Sequence, residues 1–500
     1  MVVHPSSDAK SVFIREAACD VKSVRESFPR SLWETYSAFA NTNGGTIVLG
    51  VVEDDEKGMV IEGVPDVQGT LNGLWNGLNN TEKVSANLLT DSDVVITDVD
   101  GKELIVIRVP RADRKDRPLF INGNTRNSFR RNGEGDYRCT PDEINSMITD
   151  SMSGPTDRVP VNTSGISDFD PGTVSAFRNS MRTLKGEHPW NNLDDGEFLR
   201  VVGAAVDSEG TLVPTLAGLL MFGRSYCIMS ESYNYHLDYR EYVSDDEWSL
   251  RITSGDGEWS GNVYDFYIRV MNSLKTVTGR RMAIDDDMRR VEDTQLDKCM
   301  REMLVNALVN ADYRGRGGIL VEWRPRSFSV RNCGTFRIPL ETAMAGGISD
   351  PRNQTMATMF SLIGAVEHAG SGIHRILSYC KSLGLPSPAF TEEMEPARVT
   401  VRLSLVPSDT DKDILDGQVV SLLSEDGTLS ISAIAERLNV PRSRVVTAVD
   451  RLKTSGMLTR VDGTRGRWVV SGRLRRQKIE TRATAYGCSC QSRNPSPETS

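Results

Sequence analysis

The chain has 500 residues, 38% apolar and 25% charged, with a net charge of −9 and five histidines beside eight cysteines. This length exceeds what one hydrophobic core supports and predicts roughly three to five domains, in the composition of an ordinary soluble globular protein. No apolar run approaches the roughly 18 to 20 residues that span a bilayer, no signal-peptide core follows MVVHPSSDAK, and the cysteines form no CxxC pair, a pattern that suits reduced thiols in a cytoplasm and argues against structural zinc.

Residues 1–12 are polar and are expected to be flexible. From 13 to 150 helix and strand patterns alternate. SLWETYSAFAN (31–41) is amphipathic, the Gly44-Gly45 pair ends it, and TIVLGVVE (46–53) is a β-branched run fit for a buried strand. DVVITDV and KELIVIRVP meet at Asp100-Gly101 as a hairpin, and TPDEINSMI (140–148) starts a closing helix with an N-cap. Residues 108–138 carry nine Lys or Arg against four acids, a basic island that predicts polyanion contact, with solvated surface as the alternative.

By composition, 151–165 is a linker. Residues 166–285 form a middle α+β region, with helical patterns near 173–185 and 212–224 and an aromatic strand-like run at 233–243. Residues 286–405 open with the helix REMLVNALVNADYRG (301–315), continue through a hairpin ending SVRNCGTF, the loop and helix HAGSGIHRI, and a final strand VTVRLSLV. Glu302, Asn306 and Asn310 stand four apart on that first helix, hence on one side of it. A carboxylate orients water and an amide oxygen one turn on holds a hard cation such as Mg²⁺, whose other ligands are phosphates and waters. Structural hydrogen bonding is the alternative for three such residues alone. Backbone amides at the Gly-Ser-Gly helix start make a phosphate site.

Residues 412–470 read as helix, helix, tight turn, helix and hairpin, and 471–500 as a basic, then Ser/Pro-rich disordered tail. Twelve Lys or Arg stand against three acids between 441 and 482. Arg442, Ser443, Arg444, Thr447, Arg451 and Lys453 lie mostly opposite the apolar face of the third helix, with Arg465 and Arg467 around the bend of the hairpin, as a recognition helix and basic wing require. The spacing SxxxIAxxLxVxxSxVxxxxxRLxxxGxL resembles a winged helix-turn-helix, which implies DNA binding. Its alternative is a module for protein contact.

Two further stretches resemble known families. MLVNALVNADY, NCG, PRN and GSGIHRI, in that order, resemble the RecG-like helicase C-terminal family and, more widely, the GHKL-type ATP-binding fold, a Bergerat-like α/β sandwich. That resemblance implies Glu302 as general base, Asn306 as the Mg²⁺ ligand, Asn310 as a further cofactor-binding residue, Asn332 and Gly334 near the adenine, Thr400 of the terminal strand among the cofactor-binding residues, and Gly370, Ser371 and Gly372 at the phosphates of ATP. Asn332 stands where an aspartate usually reads the adenine amino group. AFANTNGGTIVLGVVEDDEKGMVIEGV (38–64) resembles the Schlafen AlbA-type domain. It implies a metal-dependent nuclease site at Glu16, Asp20, Lys22 and Asp54, with nucleic-acid contact through Arg126, Arg130 and Arg131.

The expectation is thus an α+β multidomain, cytoplasmic, DNA-binding transcriptional regulator with an ATP-binding module as its switch, and a homo-oligomer like many winged-helix regulators. The alternatives are a Schlafen-like endoribonuclease or defence effector acting on RNA, and an interaction scaffold with an inactive nucleotide site. No GxxxxGK[ST] loop occurs, so no helicase motor is legible.

Overall fold

The computed structural model describes residues 19–22, 31–54, 58–133, 135–152, 154–244, 247–278, 294–366, 372–406, 409–438, 440–461 and 467–470, which divide into two compact units, Met1–Tyr379 with Ser387–Leu403 and Cys380–Pro386 with Ser404–Ser500. Glu16, the Asp54 side chain, Gly370, Ser371, Arg465, and the expected flexible ends 1–12 and 471–500 lie outside the described residues. No helix among the described residues is long and apolar enough to cross a membrane.

The first unit begins with β1 (Cys19–Lys22), α1 (Leu32–Asn41), β2 (Gly45–Leu49), β3 (Val51–Asp54), β4 (Gly58–Ile61), α2 (Val67–Leu78), β5 (Val94–Val99) and β6 (Lys102–Val109). One four-stranded sheet runs β1-β2-β6-β5, with β1 parallel to β2 and the other pairs antiparallel. The run 46–53, expected as a single strand, breaks at Gly50, whose φ of 97° sends β3 into a separate hairpin with β4. The Asp100-Gly101 hairpin forms as expected, both residues taking the positive φ that a tight turn of this hand needs.

Helix α1 is buried along nearly its whole surface, Glu34 being the exposed exception. Its polar residues therefore need internal partners. Asn41 donates to the carbonyls of Leu119 (2.8 Å) and Phe129 (3.0 Å) and accepts from the Leu119 amide (2.7 Å), while Ser37 donates to Leu119 O at 2.7 Å. The AFAN segment is thus a clamp on two later strands of chain. Gly44 follows with φ 73°, and a Cβ there would meet Val109 O at 2.7 Å.

Next come β7 (Phe129–Asn132), β8 (Gly135–Arg138) and α3 (Pro141–Ser151), the last opened by a Thr140/Glu143 capping box. The stretch 151–165, expected as a linker, is mostly exposed but anchored at three buried points, Asp157, Val161 and Ser164: Asp157 accepts from the Thr355 and Met356 amides at 3.2 and 2.9 Å, and Val161 N donates to Pro214 O at 2.8 Å. The middle region supplies α4 (Pro171–Leu184), α5 (Asp195–Val201), the hairpin of β9 (Ala205–Ser208) and β10 (Thr211–Pro214), α6 (Leu216–Phe222), α7 (Ser225–Glu231), β11 (Leu237–Tyr242), β12 (Trp248–Thr253) and α8 (Val263–Val277).

After these come α9 (Gln295–Asn310), β13 (Ile319–Arg324), β14 (Ser327–Cys333), α10 (Leu340–Ala345), α11 (Gln354–Leu362), α12 (Gly372–Leu383), β15 (Ala389–Met394) and β16 (Ala397–Ser404). The second sheet is six-stranded in the order β12-β11-β13-β14-β16-β15, with β11 parallel to β13 in the register Leu237↔Ile319. The boundary expected at 285/286 therefore falls between strands of one sheet, and the middle region is part of the body that carries the α9 helix.

The basic island 108–138 corrects a second expectation. Four of its nine cations form ion pairs with acids of the same unit. Arg111 pairs bidentately with Glu392 (2.5 and 3.0 Å), Arg114 with Asp350, Arg130 with Glu395 (2.5 Å) and Glu143 (3.1 Å), and Arg131 with Asp136 (3.0 Å). At the centre Arg352 forks onto Asp150, Nε to Oδ1 at 2.8 Å and Nη2 to Oδ2 at 2.6 Å, both residues buried. Burial by itself raises the pKa of Asp150, but the charge and hydrogen bonds of Arg352, with Arg337 and Arg117 behind them, outweigh it and hold the carboxyl below the ordinary carboxylate range.

The second unit contains α13 (Asp409–Glu425), α14 (Ile431–Leu438), α15 (Arg442–Thr454) and the antiparallel pair β17 (Leu458–Val461) and β18 (Arg467–Val470). Leu415, Val419, Leu423, Ile434, Val445, Val449, Leu452 and Trp468 close one small core. This is the expected winged helix.

Removing one partner of a buried ion pair strands the other, at a cost of about 3–5 kcal/mol. Asp150→Ala is accordingly expected to destabilise the first unit by that amount in chemical denaturation at pH 7. Because the folded-state pKa is lowered, the stabilisation by Asp150 is present above its unfolded value of about 4 and is lost as pH falls through the folded value. The stability gap between wild type and Asp150→Asn should then narrow on acidification below about pH 4. A gap constant from pH 7 to pH 3 would contradict this assignment.

Candidate functional site

Helix α9 starts with a Thr294/Asp297 capping box and buries Met300, Met303, Leu304, Ala307 and Leu308. Its remaining side carries Glu302, Asn306 and Asn310, and all three line a cavity of about 580 Å³. The row is internally connected. Asn306 Nδ2 lies 3.5 Å from Glu302 Oε1, and Asn310 Nδ2 donates to Asn306 O at 2.9 Å. Glu302 is only 5% exposed, and its Oε2 lies 3.7 Å from Arg375 Nη1 of α12, so the carboxylate is held in place from a second helix.

Gly372, the first residue of α12, also lines the cavity. A Cβ there would stand 2.6 Å from the Asn306 amide and 3.0 Å from Glu302 Oε1. The glycine thus lets the start of α12 press directly onto the two candidate catalytic side chains. Asn332 lines the cavity as well, 6% exposed, with its Nδ2 donating to Cys333 O at 3.0 Å.

Two expected contacts fall elsewhere. Gly334 is not a lining residue; its φ is 96°, and a Cβ would lie 1.8 Å from Arg352 Nη1, so its bare backbone makes room for the buried ion pair. Thr400 is not a lining residue either, because alternation along β16 turns its neighbours Val399 and Val401 toward the cavity instead. Conversely, Arg337 and Asp350 line the cavity and are joined to each other at 3.4 Å. The sequence signal for them was slight, an aspartate immediately before PRN and an arginine three residues after NCG.

Among the described residues no group of three or more His, Cys, Asp or Glu is placed to hold a metal ion. One carboxylate and one amide oxygen at Glu302 and Asn306 suit Mg²⁺ only when a ligand's phosphates and waters complete its shell, the usual Mg²⁺ arrangement.

In the N-terminal domain Asp20 is bound up with Lys22 Nζ (3.1 Å), Thr35 Oγ1 (2.9 Å) and Arg131 (3.7 Å). The acid brought beside it is Asp136, 2.5 Å from the same Thr35 hydroxyl, an acid that motif spacing did not single out. Arg130 and Arg131 have side chains 13% and 11% exposed and pair with Glu395, Glu143 and Asp136, so much of their charge is met within the protein; Arg126 is exposed.

In the winged helix the outward face of α15 holds Arg442, Ser443, Thr447 and Lys453, all exposed, with Arg444 half-buried at its flank. Arg451 is different. It forks onto Asp416 of α13 at 2.6 and 3.2 Å, bracing two helices rather than facing outward. Lys453 and Arg460 lie 5.2 and 4.6 Å from the Trp468 ring centroid, so a buried tryptophan positions one cation of α15 and one of the wing, and Arg467 is exposed.

Four family matches follow the chain in order: Schlafen, AlbA_2 over residues 16–140; a domain family of unknown function over 145–238; the "ATP-dependent DNA helicase recG C-terminal" family over 321–401; and the MarR family over 415–467. A solved structure from Corynebacterium diphtheriae is 19% identical, covering 93% of this chain and 96% of that one, with a TM-score of 0.39. The solution structure of the N-terminal domain of a RecG-related protein from Nitrosomonas europaea is 26% identical, covering 26% of this chain and 90% of that one, with a TM-score of 0.20. No curated protein matches the chain.

The two roles assigned to basic residues of α15 separate in a stability measurement. Arg451→Ala is expected to lower winged-helix stability by about 0.2–1 kcal/mol, the usual worth of a partly exposed pair, and Arg442→Ala to leave it unchanged. Equal effects of the two substitutions on thermal unfolding would refute the distinction.

Proposed function

We propose that this chain, which joins a Schlafen-type domain, a RecG C-terminal-type ATPase-like domain and a MarR-type winged helix, is a cytoplasmic DNA-binding regulator whose nucleotide-binding cavity acts as its switch. The observation that carries the reading is the Glu302–Asn306–Gly372 contact on the wall of a 580 Å³ cavity, large enough for a nucleotide. Asn306 would hold Mg²⁺ through its amide oxygen, Glu302 would orient a water, and the amides opening α12 would face phosphate. Bound ATP would supply the phosphoryl group and complete the metal's shell. Arg375 fixes the Glu302 carboxylate, which favours a preset rather than a mobile base.

On the DNA side, the exposed Arg442, Ser443, Thr447 and Lys453 present donors on one helix face, the arrangement that major-groove binding uses. A nucleotide alters DNA affinity only if it binds the two forms of the protein unequally, so the switch amounts to a coupling free energy between the two ligands.

Mg-ATP should raise the unfolding temperature of the whole protein, and Asn306→Ala should abolish that rise; absence of a rise in wild type would end the nucleotide reading. For DNA, footprinting on genomic fragments is expected to show one discrete protected sequence. Arg442→Ala should reduce the slope of log affinity against log salt by about 1. Binding that ignores sequence altogether would argue against a regulator.

A further inference from the structure

The seam between the N-terminal domain and the six-stranded sheet holds five guanidiniums, Arg111, Arg114, Arg117, Arg337 and Arg352, against four carboxylates, Asp150, Asp312, Asp350 and Glu392. Each acid is already engaged: Asp150 by Arg352, Glu392 by Arg111, Asp350 by Arg114, and Asp312 by the Ser146 hydroxyl and the charge of Arg352. Among the described residues Arg117 has no ion-pair partner of its own, and Arg337 shares Asp350 with Arg114. Arg117 and Arg337 are 6% and 9% exposed, yet the Nε of each is buried with no hydrogen-bond acceptor. Arg337 reaches only long contacts, 3.3 Å to Pro351 O, 3.4 Å to Asp350 Oδ1 and 3.5 Å to Asp150 O.

A buried cation short of acceptors is unfavourable, and two such arginines in one cluster favour the arrival of further negative charge. Burial lowers the pKa of both guanidiniums, that of Arg117 to about 10, where the neighbouring charge of Arg111 lowers it further. Burial thus works against the charge at the two arginines that lack a carboxylate of their own. Arg337 is also a wall of the 580 Å³ cavity, in a run with Thr335 and Phe336 and beside Asp350.

We propose that the ligand of this cavity places an anionic oxygen, from a phosphate or a carboxylate, against the guanidinium of Arg337 where it meets the cavity, with Arg117 adding its charge at the same Asp150, so that the arginine seam is itself a binding subsite. The inference rests on the nucleotide reading only in sharing its cavity. The Arg337 contact is additional to Asn306 and Gly372, and it selects ligands with a negatively charged group to spare for the seam. An anion there also neutralises the surplus positive charge between the two domains, so occupancy should tighten the seam as well as fill the cavity.

The test uses the full-length chain in chloride buffer at matched ionic strength, titrated separately with inorganic phosphate, pyrophosphate and citrate while thermal unfolding is followed. Wild type and the exposed control Arg126→Gln are expected to show a saturable rise in unfolding temperature with at least one of the three. The half-saturating concentration should be at least tenfold higher in Arg337→Gln. A response to the phosphates alone identifies a phosphoryl group, and a response to citrate alone a carboxylate. Should Arg337→Gln not fold, Arg117→Gln makes the same comparison, with a weakened response expected. No saturable response in wild type, or equal responses in wild type and the arginine variants, overturns the proposal. In Asn306→Ala the anion response should persist while any Mg-ATP response is lost; a chain that answers to phosphate but never to Mg-ATP keeps the subsite and discards the nucleotide.

Discussion

The buried Arg352–Asp150 ion pair is the constraint around which the first unit is arranged. Arg352 sits just before α11 and Asp150 near the end of α3, about two hundred residues earlier, and their fork of two hydrogen bonds joins the N-terminal domain to the sheet body. Such a pair tolerates little error, because either charge left alone in low dielectric costs more than the pair gains. Its demands spread outward. Gly334 lacks a side chain because Arg352 passes where a Cβ would be, and Asn310 turns its carbonyl to the same guanidinium at 3.0 Å. Arg114 covers the carbonyls of Asp150 and Met152 while pairing with Asp350.

The cavity takes its form from the same neighbours. Its α9 wall is a row of polar groups spaced by helical periodicity, its far members Arg337 and Asp350 belong to the seam, and Gly372 brings a second helix onto Asn306. Two glycines near one site thus answer to different pressures: Gly372 admits a helix terminus to the candidate catalytic residues, and Gly334 admits an arginine side chain. A motif match assigns both to the ligand, whereas the contacts divide them.

Charge was the least transparent property at the level of sequence. Nine basic residues in 108–138 look like a polyanion surface, yet the acids that pair with Arg111, Arg114 and Arg130, namely Glu392, Asp350 and Glu395, lie more than two hundred residues away along the chain. Local counting cannot reveal neutralisation that arrives through tertiary pairing. The same holds on a smaller scale in α15, where Arg451 looked like Arg442 until Asp416 of α13 claimed it. The stretch 151–165 is a related case: Pro, Gly, Ser and Thr mark a departure from regular structure, and Asp157 shows that such chain can still carry a buried carboxylate that caps another helix.

The sequence by itself determined the elements whose signals are local: the apolar-patterned helices α1 and α9, the latter starting at Gln295 rather than at 301, the Asp-Gly hairpin, the N-cap at Thr140, and the winged helix, whose apolar spacing encodes its core directly. It also placed Glu302, Asn306 and Gly372 together, because helical spacing and motif order bring them into one neighbourhood. Only the tertiary structure decided that 237–253 and 319–404 share one sheet, that β16 turns Val399 and Val401 rather than Thr400 to the cavity, and that a surplus of buried arginine borders it. Those outcomes depend on which distant groups meet, and neither residue type nor periodicity carries that information before the chain has packed.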